Sequence, residues 1–262
     1  MPPNAALHGI AVDHLMRWNL IALLACFAAA HAWLIVAILR RRTSVSKNVI
    51  SSEAEASQRI PAAPQSPAPE LRTRTAGWLL LAALCAMYAW MAITAQHLWA
   101  ADRFEGASPE AMQVEVVGQQ FQWYFRYPGE DAAFGITRPQ LVNAAAGNPL
   151  GIDPQDQRGN DDLVSSILTL PVGKEVDLRL RSFDVIHGFF IPAMRLKQNA
   201  VPGLVLHVHF TPITVGTYPI LCSQVCGLGH ARMQAQLRVV SQDAYQDWLK
   251  AQERRHAQET AQ

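Results

Sequence analysis

Two uninterrupted apolar runs, residues 20–39 and 76–95, constrain this chain more than any other feature. As an α-helix, a run of 20 residues spans about 30 Å, the thickness of the hydrocarbon core of a bilayer. The first run is apolar except for His31, and the second holds nothing more polar than Thr94 and Tyr88. Apolar side chains cover every face of both helices, so neither has a side suited to water. Both are therefore expected to cross a membrane. Half of the 262 residues are hydrophobic and only 16% are charged, and these runs hold the excess.

The charges orient the spans. Arg40, Arg41, Arg42, Lys47, Arg59, Arg72 and Arg74 all lie between them. Basic connectors stay on the cytoplasmic side, which sends both termini outward. Trp18 and Trp99 then fall near the outer interface and Trp78 near the inner one. The apolar run continues past the "AAA" at 28–30 to the triple arginine, so it reads as a retained anchor and not as a cleaved signal peptide. The expected organisation is a short external N-terminus (1–17), a first span (18–39), a cytoplasmic linker (40–75), a second span (76–99), an external domain (100–241) and a C-terminal helix and tail (242–262). The linker is rich in Ser, Ala and Gln, with Pro61, Pro64, Pro67 and Pro69, a composition with little to bury. Residues 100–262 carry 14 basic and 17 acidic side chains, and no nucleic-acid partner is expected of so balanced a surface.

After Trp99 the texture changes. "QVEVVGQQFQWYFRYPGE" is an aromatic strand region closing on a Pro-Gly turn, and "LVSSILTLPVGKEVDLRLRSF" reads as two strands about "PVGK". In the second of these, Val176, Leu178 and Leu180 alternate with Asp177, Arg179 and Arg181, the pattern of a half-buried strand. "GLVLHVHFTP", "GTYPILC" and "MQAQLRVV" add three more. Many short strands with Gly and Pro turns point to an antiparallel sandwich or Greek-key barrel. "DAYQDWLKAQ" is a short amphipathic helix.

The chemistry is concentrated in "CSQVCGLGHARM", residues 222–233. Cys222, Cys226, His230 and Met233 recur at intervals of four, four and three. In an oxidising compartment two such cysteines can close a disulfide, but that leaves the histidine and methionine unexplained. Thiolate and imidazole together suit zinc, copper or iron, and a thioether favours copper over zinc. A mononuclear copper site uses one Cys, so two suggest a pair of coppers sharing bridging thiolates, each needing one imidazole. His230 is one. His187, His207, His209 and His256 are candidates for the other. His256 sits in the polar tail, and His207 and His209 share one polar strand face. His187 lies in the apolar, proline-punctuated "SFDVIHGFFIPAMRLKQNAVPG" and is the choice.

"DVIHGFFIPAMRLKQNAVPG" followed by "GTYPILCSQVCGLGHARM", with the aromatic strand "GQQFQWYFRY" and the two-helix anchor, resembles subunit II of cytochrome c oxidase in a bacterial form. The resemblance implies a transmembrane hairpin followed by an all-β, cupredoxin-like Greek-key barrel that binds the binuclear copper A centre. Carried over, Cys222 and Cys226 bridge the coppers, His187 and His230 each ligate one, and Met233 and the Gln224 carbonyl are weak axial ligands. Phe121, Trp123 and Tyr124 stand where electrons are taken up, although members often show Trp-Tyr-Trp where Phe121, Gln122 and Trp123 occur here. Asp153, Asp156, Asp161 and Asp162 are the implied docking carboxylates for a basic c-type cytochrome. Members usually carry glutamate at position 224, and the neutral amide of Gln224 argues against the magnesium or manganese ion held at the interface with subunit I. No Cys-x2-Cys-His is present, so no haem c is expected on this chain.

The implied function is acceptance of electrons from a c-type cytochrome and their delivery to haem in subunit I.

 
Oxygen is then expected to be reduced to water in subunit I, with subunit III a further expected neighbour, and this chain to carry electron transfer only. The implied location is the bacterial inner membrane, with two spans and the C-terminal domain in the periplasm. Two other functions share these features: the copper A subunit of a nitric oxide reductase, and a membrane-tethered protein binding a single copper or zinc.

Overall fold

The structure, a computed structural model, describes residues 2–55 and 70–260. It divides into two units: residues up to Asp13 together with Leu98 onward, and His14–His97.

The second unit comprises most of α1 (Leu7–Glu55) and α2 (Glu70–Arg103), whose outer ends, up to Asp13 and from Leu98, count with the first. Segments Gly9–Arg40 and Thr75–Ala101 are long and apolar enough to cross a membrane, and their most apolar windows are unburied within the chain. Two polar side chains inside them turn back on their own helix. His31 Nδ1 pairs with the Phe27 carbonyl and the Thr94 hydroxyl donates to the Trp90 carbonyl, each at 2.8 Å. A lipid-facing polar group needs such an internal partner. Both helices extend beyond the expected spans, and residues 56–69 of the expected linker lie outside the described residues.

The first unit is a sandwich of two five-stranded sheets. One holds β1 (Met112–Gln119), β2 (Gln122–Tyr127), β3 (Leu163–Ser165), β5 (Val176–Ser182) and β8 (Leu206–Phe210), in the order β3-β2-β1-β5-β8. The other holds β4 (Ile167–Pro171), β6 (His187–Ile191), β7 (Leu196–Ala200), β9 (Gly216–Cys222) and β10 (Gln234–Val240), in the order β4-β10-β9-β6-β7. Inward residues of both sheets form one core that includes Val114, Val116, Trp123, Phe125, Leu168, Leu178, Phe189, Ile191 and Leu237. Trp123 and Phe189 meet edge to face across it, with ring centroids 5.2 Å apart. Each such side chain contributes roughly 1.5–3 kcal/mol by leaving water.

The sandwich is not wholly antiparallel. β1 pairs with β5 in parallel, and β4 pairs with β10 in parallel. Parallel neighbours need a crossover, and the passage of the chain from β3 into the opposite sheet at β4 and back at β5 supplies one. Asp177, read as an outward residue of β5, is buried and pairs with His207 on β8 at 2.8 Å.

The N-terminal segment is part of this unit. Ala6 bridges Pro212, the Ala5 N–H donates to the Ala193 carbonyl, and the Ile213 N–H donates to the Ala5 carbonyl, the latter two at 2.8 Å. Arg195 grips Asp13 through two nitrogens at 2.7 and 2.9 Å. At the other end α3 (Gln242–Thr260) runs past the expected amphipathic stretch and lays Trp248 against Tyr127, ring centroids 5.0 Å apart.

Candidate metal centre

The site forms where the β9–β10 connection meets the start of β6. Phe189 on β6 stands opposite Cys222 at the end of β9, and the Cys222 N–H donates to the Met233 carbonyl at 3.2 Å. The connection from 223 to 233 is thus a closed loop with a cysteine at its mouth and a methionine at its exit. Gly188 lets this loop lie directly on β6, because a Cβ there would fall 2.3 Å from Ser223 Oγ. Gly229 serves the same purpose against the ring of Phe121, which a Cβ would meet at 2.4 Å.

Four sulfur and nitrogen side chains of the loop converge. Cys226 Sγ lies 3.8 Å from Cys222 Sγ, 3.8 Å from His230 Nδ1 and 3.7 Å from Met233 Sδ. Cys222 Sγ is 3.1 Å from the Gln224 carbonyl oxygen. His187 joins them from β6: its ligand atom and both cysteine sulfurs all lie within 4.8 Å of one another. Both cysteines are free thiols. All six residues assigned to a metal from the sequence are brought to one place, whereas His207 is engaged with Asp177, and His256 pairs with the Asn160 carbonyl at 2.8 Å.

His187 is fully buried. Its Nε2 pairs with Asp184 Oδ1 at 2.8 Å, and its Nδ1 has no hydrogen-bond partner. A carboxylate at Nε2 holds the proton on that nitrogen and leaves the Nδ1 lone pair bare. A buried lone pair without a donor is costly in a metal-free protein and is what a metal ligand requires. Burial would raise the Asp184 carboxyl, but hydrogen bonds from the Gln120 N–H, His187 and the Val185 N–H outweigh it and hold the carboxyl below its ordinary value. Burial and the neighbouring Cys222 push the Cys226 thiol up to about 11, so near neutral pH it keeps its proton until a cation displaces it. The donor set of two thiols, two imidazoles and a thioether is soft and fits copper.

The other expected site residues are placed unevenly. Phe121 is exposed beside the loop, Tyr124 is half-buried, and Trp123 is fully buried with its ring centroid 5.7 Å from that of His187. Trp123 therefore presents no surface to a partner. Asp162, expected on a docking face, is instead buried with Arg126, which also reaches Glu115 at 3.3 Å. Asp153 is bound to Arg138 at 2.5 Å and Asp156 to Arg158 at 2.9 Å. Asp161 is half-buried and accepts from the Asp131 N–H at 3.4 Å. Sequence reasoning missed Gln120, whose side chain donates to the Cys226 carbonyl at 2.5 Å, because nothing local marks a contact over 106 residues.

Fold and cluster together define a cupredoxin-like domain whose thiol, imidazole and thioether groups could hold a metal, on a chain with two apolar helices. Residues 112–240, from β1 through β10, match the family model for cytochrome c oxidase subunit II, periplasmic domain. Among curated proteins the chain is similar to the alternative cytochrome c oxidase subunit 2 of Bradyrhizobium diazoefficiens, at 40% identity over 152 residues covering 57% of this chain and 54% of that protein. It is also similar to cytochrome c oxidase subunit 2 of Thermostichus vulcanus, at 34% identity over 149 residues covering 55% of this chain and 36% of that protein. The chain thus spans about half or less of the length of these relatives. A crystal structure of the periplasmic domain of subunit II of cytochrome oxidase of Bradyrhizobium japonicum aligns at 25% identity and a TM-score of 0.42, covering 57% of this chain and 99% of that one.

Proposed function

We propose that this chain is the electron-accepting subunit of a haem-copper terminal oxidase, anchored by its two apolar helices in the bacterial inner membrane with its sandwich domain in the periplasm. It takes one electron at a time from a c-type cytochrome and delivers it to haem in subunit I, where oxygen is reduced. The observation that carries this reading is the clustering of Cys222, His230 and Met233 about the Cys226 sulfur, with a ring nitrogen of the buried His187 within 4.8 Å of both cysteine sulfurs. Cys222 and Cys226 would bridge two coppers, His187 and His230 would ligate one each, and Met233 and the Gln224 carbonyl would complete the set. Bound there, a copper pair supplies one-electron chemistry in which the charge is shared over two metals. The chain's own residues keep the surroundings rigid and dry: the loop is pinned to β6, and His187, Cys226 and Met233 are shielded from water. Gln224 offers no carboxylate for a magnesium or manganese ion, and none is proposed.

The partner-facing rim of the loop is apolar. Val225 and Leu228 are exposed at 78% and 105%, and Phe121 at 40%. Since Asp153, Asp156 and Asp162 are each tied to an arginine, contact with the cytochrome rests on this rim and acidic steering is minor. Phe121 is the exposed ring through which the electron would pass to the loop. The test is the copper content and electron paramagnetic resonance of the purified chain. Two coppers per chain with a mixed-valence signal are expected; one zinc, or a single-copper signal, rejects the proposal.

A further inference from the structure

We propose that Gln120 is a positioning residue that ties the cysteine loop and the histidine of the site to each other, and thereby sets how tightly and how symmetrically the metals are held; this rests on the reading of the cluster as a copper centre. Gln120 lies between β1 and β2, on neither ligand-bearing segment. It nonetheless reaches both. Its side-chain Nε2 donates to the Cys226 carbonyl at 2.5 Å, and its backbone N–H donates to Asp184 Oδ2 at 2.7 Å. The other oxygen of that carboxylate, Oδ1, takes Nε2 of His187 at 2.8 Å. An unbroken line of hydrogen bonds therefore runs from the backbone of one thiol ligand, through Gln120 and then Asp184, to the imidazole of His187 on β6.

Each link has a distinct role. The bond to the Cys226 carbonyl fixes the peptide that joins Cys226 to Gly227, and with it the direction of the thiol. The bond to Oδ2 fixes the Asp184 carboxylate, whose Oδ1 orients the His187 ring and also accepts from the Val185 N–H at 2.7 Å. The Phe121 ring next to Gln120 fills the space above Gly229, so the same turn presses on the loop just before His230. Relaxing Gln120 would let the thiol and the imidazole move independently. Hydrogen-bonding partners of metal ligands commonly change affinity by about 10–100-fold when removed.

The experiment uses the full chain in detergent, titrated with copper(I) against a competing chelator, together with the paramagnetic resonance spectrum and midpoint potential of the loaded forms and the unfolding temperature of the metal-free forms. Gln120→Ala and the near-isosteric Gln120→Glu both remove the donor to Cys226. Each is expected to weaken copper binding about 10–100-fold and to unbalance the hyperfine pattern, with the metal-free unfolding temperature unchanged. Asp184→Asn is expected to act in the same direction, and Gln120→Ala combined with Asp184→Asn should lose less than the product of the two single losses, because both act along one line of bonds. Wild-type affinity and spectrum in Gln120→Ala and Gln120→Glu, or single losses that multiply in full, overturn the proposal. An affinity loss in Gln120→Ala that Gln120→Glu does not share assigns the effect to packing and also overturns it. Failure of the unsubstituted chain to bind copper is a different result, which removes the copper reading itself.

Discussion

Met233 Sδ lies 3.7 Å from Cys226 Sγ, with both side chains buried beneath the loop that joins them. A thioether so placed reaches the site only as a weak ligand. Met233→Leu keeps the volume and removes the sulfur. Copper should remain bound while the midpoint potential shifts and the spin balance between the two metals changes. If redox titration and paramagnetic resonance both match the unsubstituted chain, Met233 is not a ligand.

Cys222 and Cys226, with sulfurs 3.8 Å apart, are the proposed bridge between two metals. Cys226→Ser should abolish the mixed-valence spectrum, because a single thiolate cannot hold both coppers equivalent. A spectrum that survives the substitution would exclude the bridge.

Arg126 is buried between Glu115 and Asp162 and also donates to the Gly135 carbonyl at 2.7 Å. Burial pushes the Asp162 carboxyl up even with the guanidinium beside it, so the pair is no large source of stability. Removing one side is another matter. Arg126→Met strands the Asp162 carboxylate in the interior, while Glu115 keeps Arg181 at 3.0 Å, and should cost about 3–5 kcal/mol. Chemical denaturation checks this, and a loss below about 1 kcal/mol would show that water reaches the group.

The rim of the site predicts how a donor binds. Leu228→Ser should slow second-order electron transfer from a reduced c-type cytochrome while leaving the copper spectrum intact. Raising the salt concentration should change the rate little, since acidic steering is minor. Stopped-flow traces showing an unchanged rate in the variant and a steep fall with salt would instead return the docking role to the carboxylates.

Asp156 gives a pH signature. Hydrogen bonds from Arg158 and then from the Ile136 N–H lower its carboxyl from 3.8 to about 2. With the folded value depressed, the stabilisation is present above the ordinary value and is lost as pH falls through about 2. The Ile136 amide resonance should titrate with a midpoint near 2, and a midpoint near 3.8 would mean the bond is absent.

The apolar runs, the strand-rich domain and the loop "CSQVCGLGHARM" were legible because each is written in contiguous residues. Length and all-round apolarity define a span, alternation defines a strand, and three intervals of three or four residues place four soft donors in one loop. His187 could be chosen over His207, His209 and His256 only from its apolar setting. Its proximity to the thiols depends on β6 lying beside β9, and no local pattern encodes that pairing. The parallel pairs β1–β5 and β4–β10, the burial of Trp123 and Asp162, and the reach of Gln120 to Cys226 and Asp184 were likewise decided by tertiary structure. Chemistry that fits within one turn of chain is set by residue order alone, whereas contacts across 64 or 106 residues depend on which strands the buried core brings together.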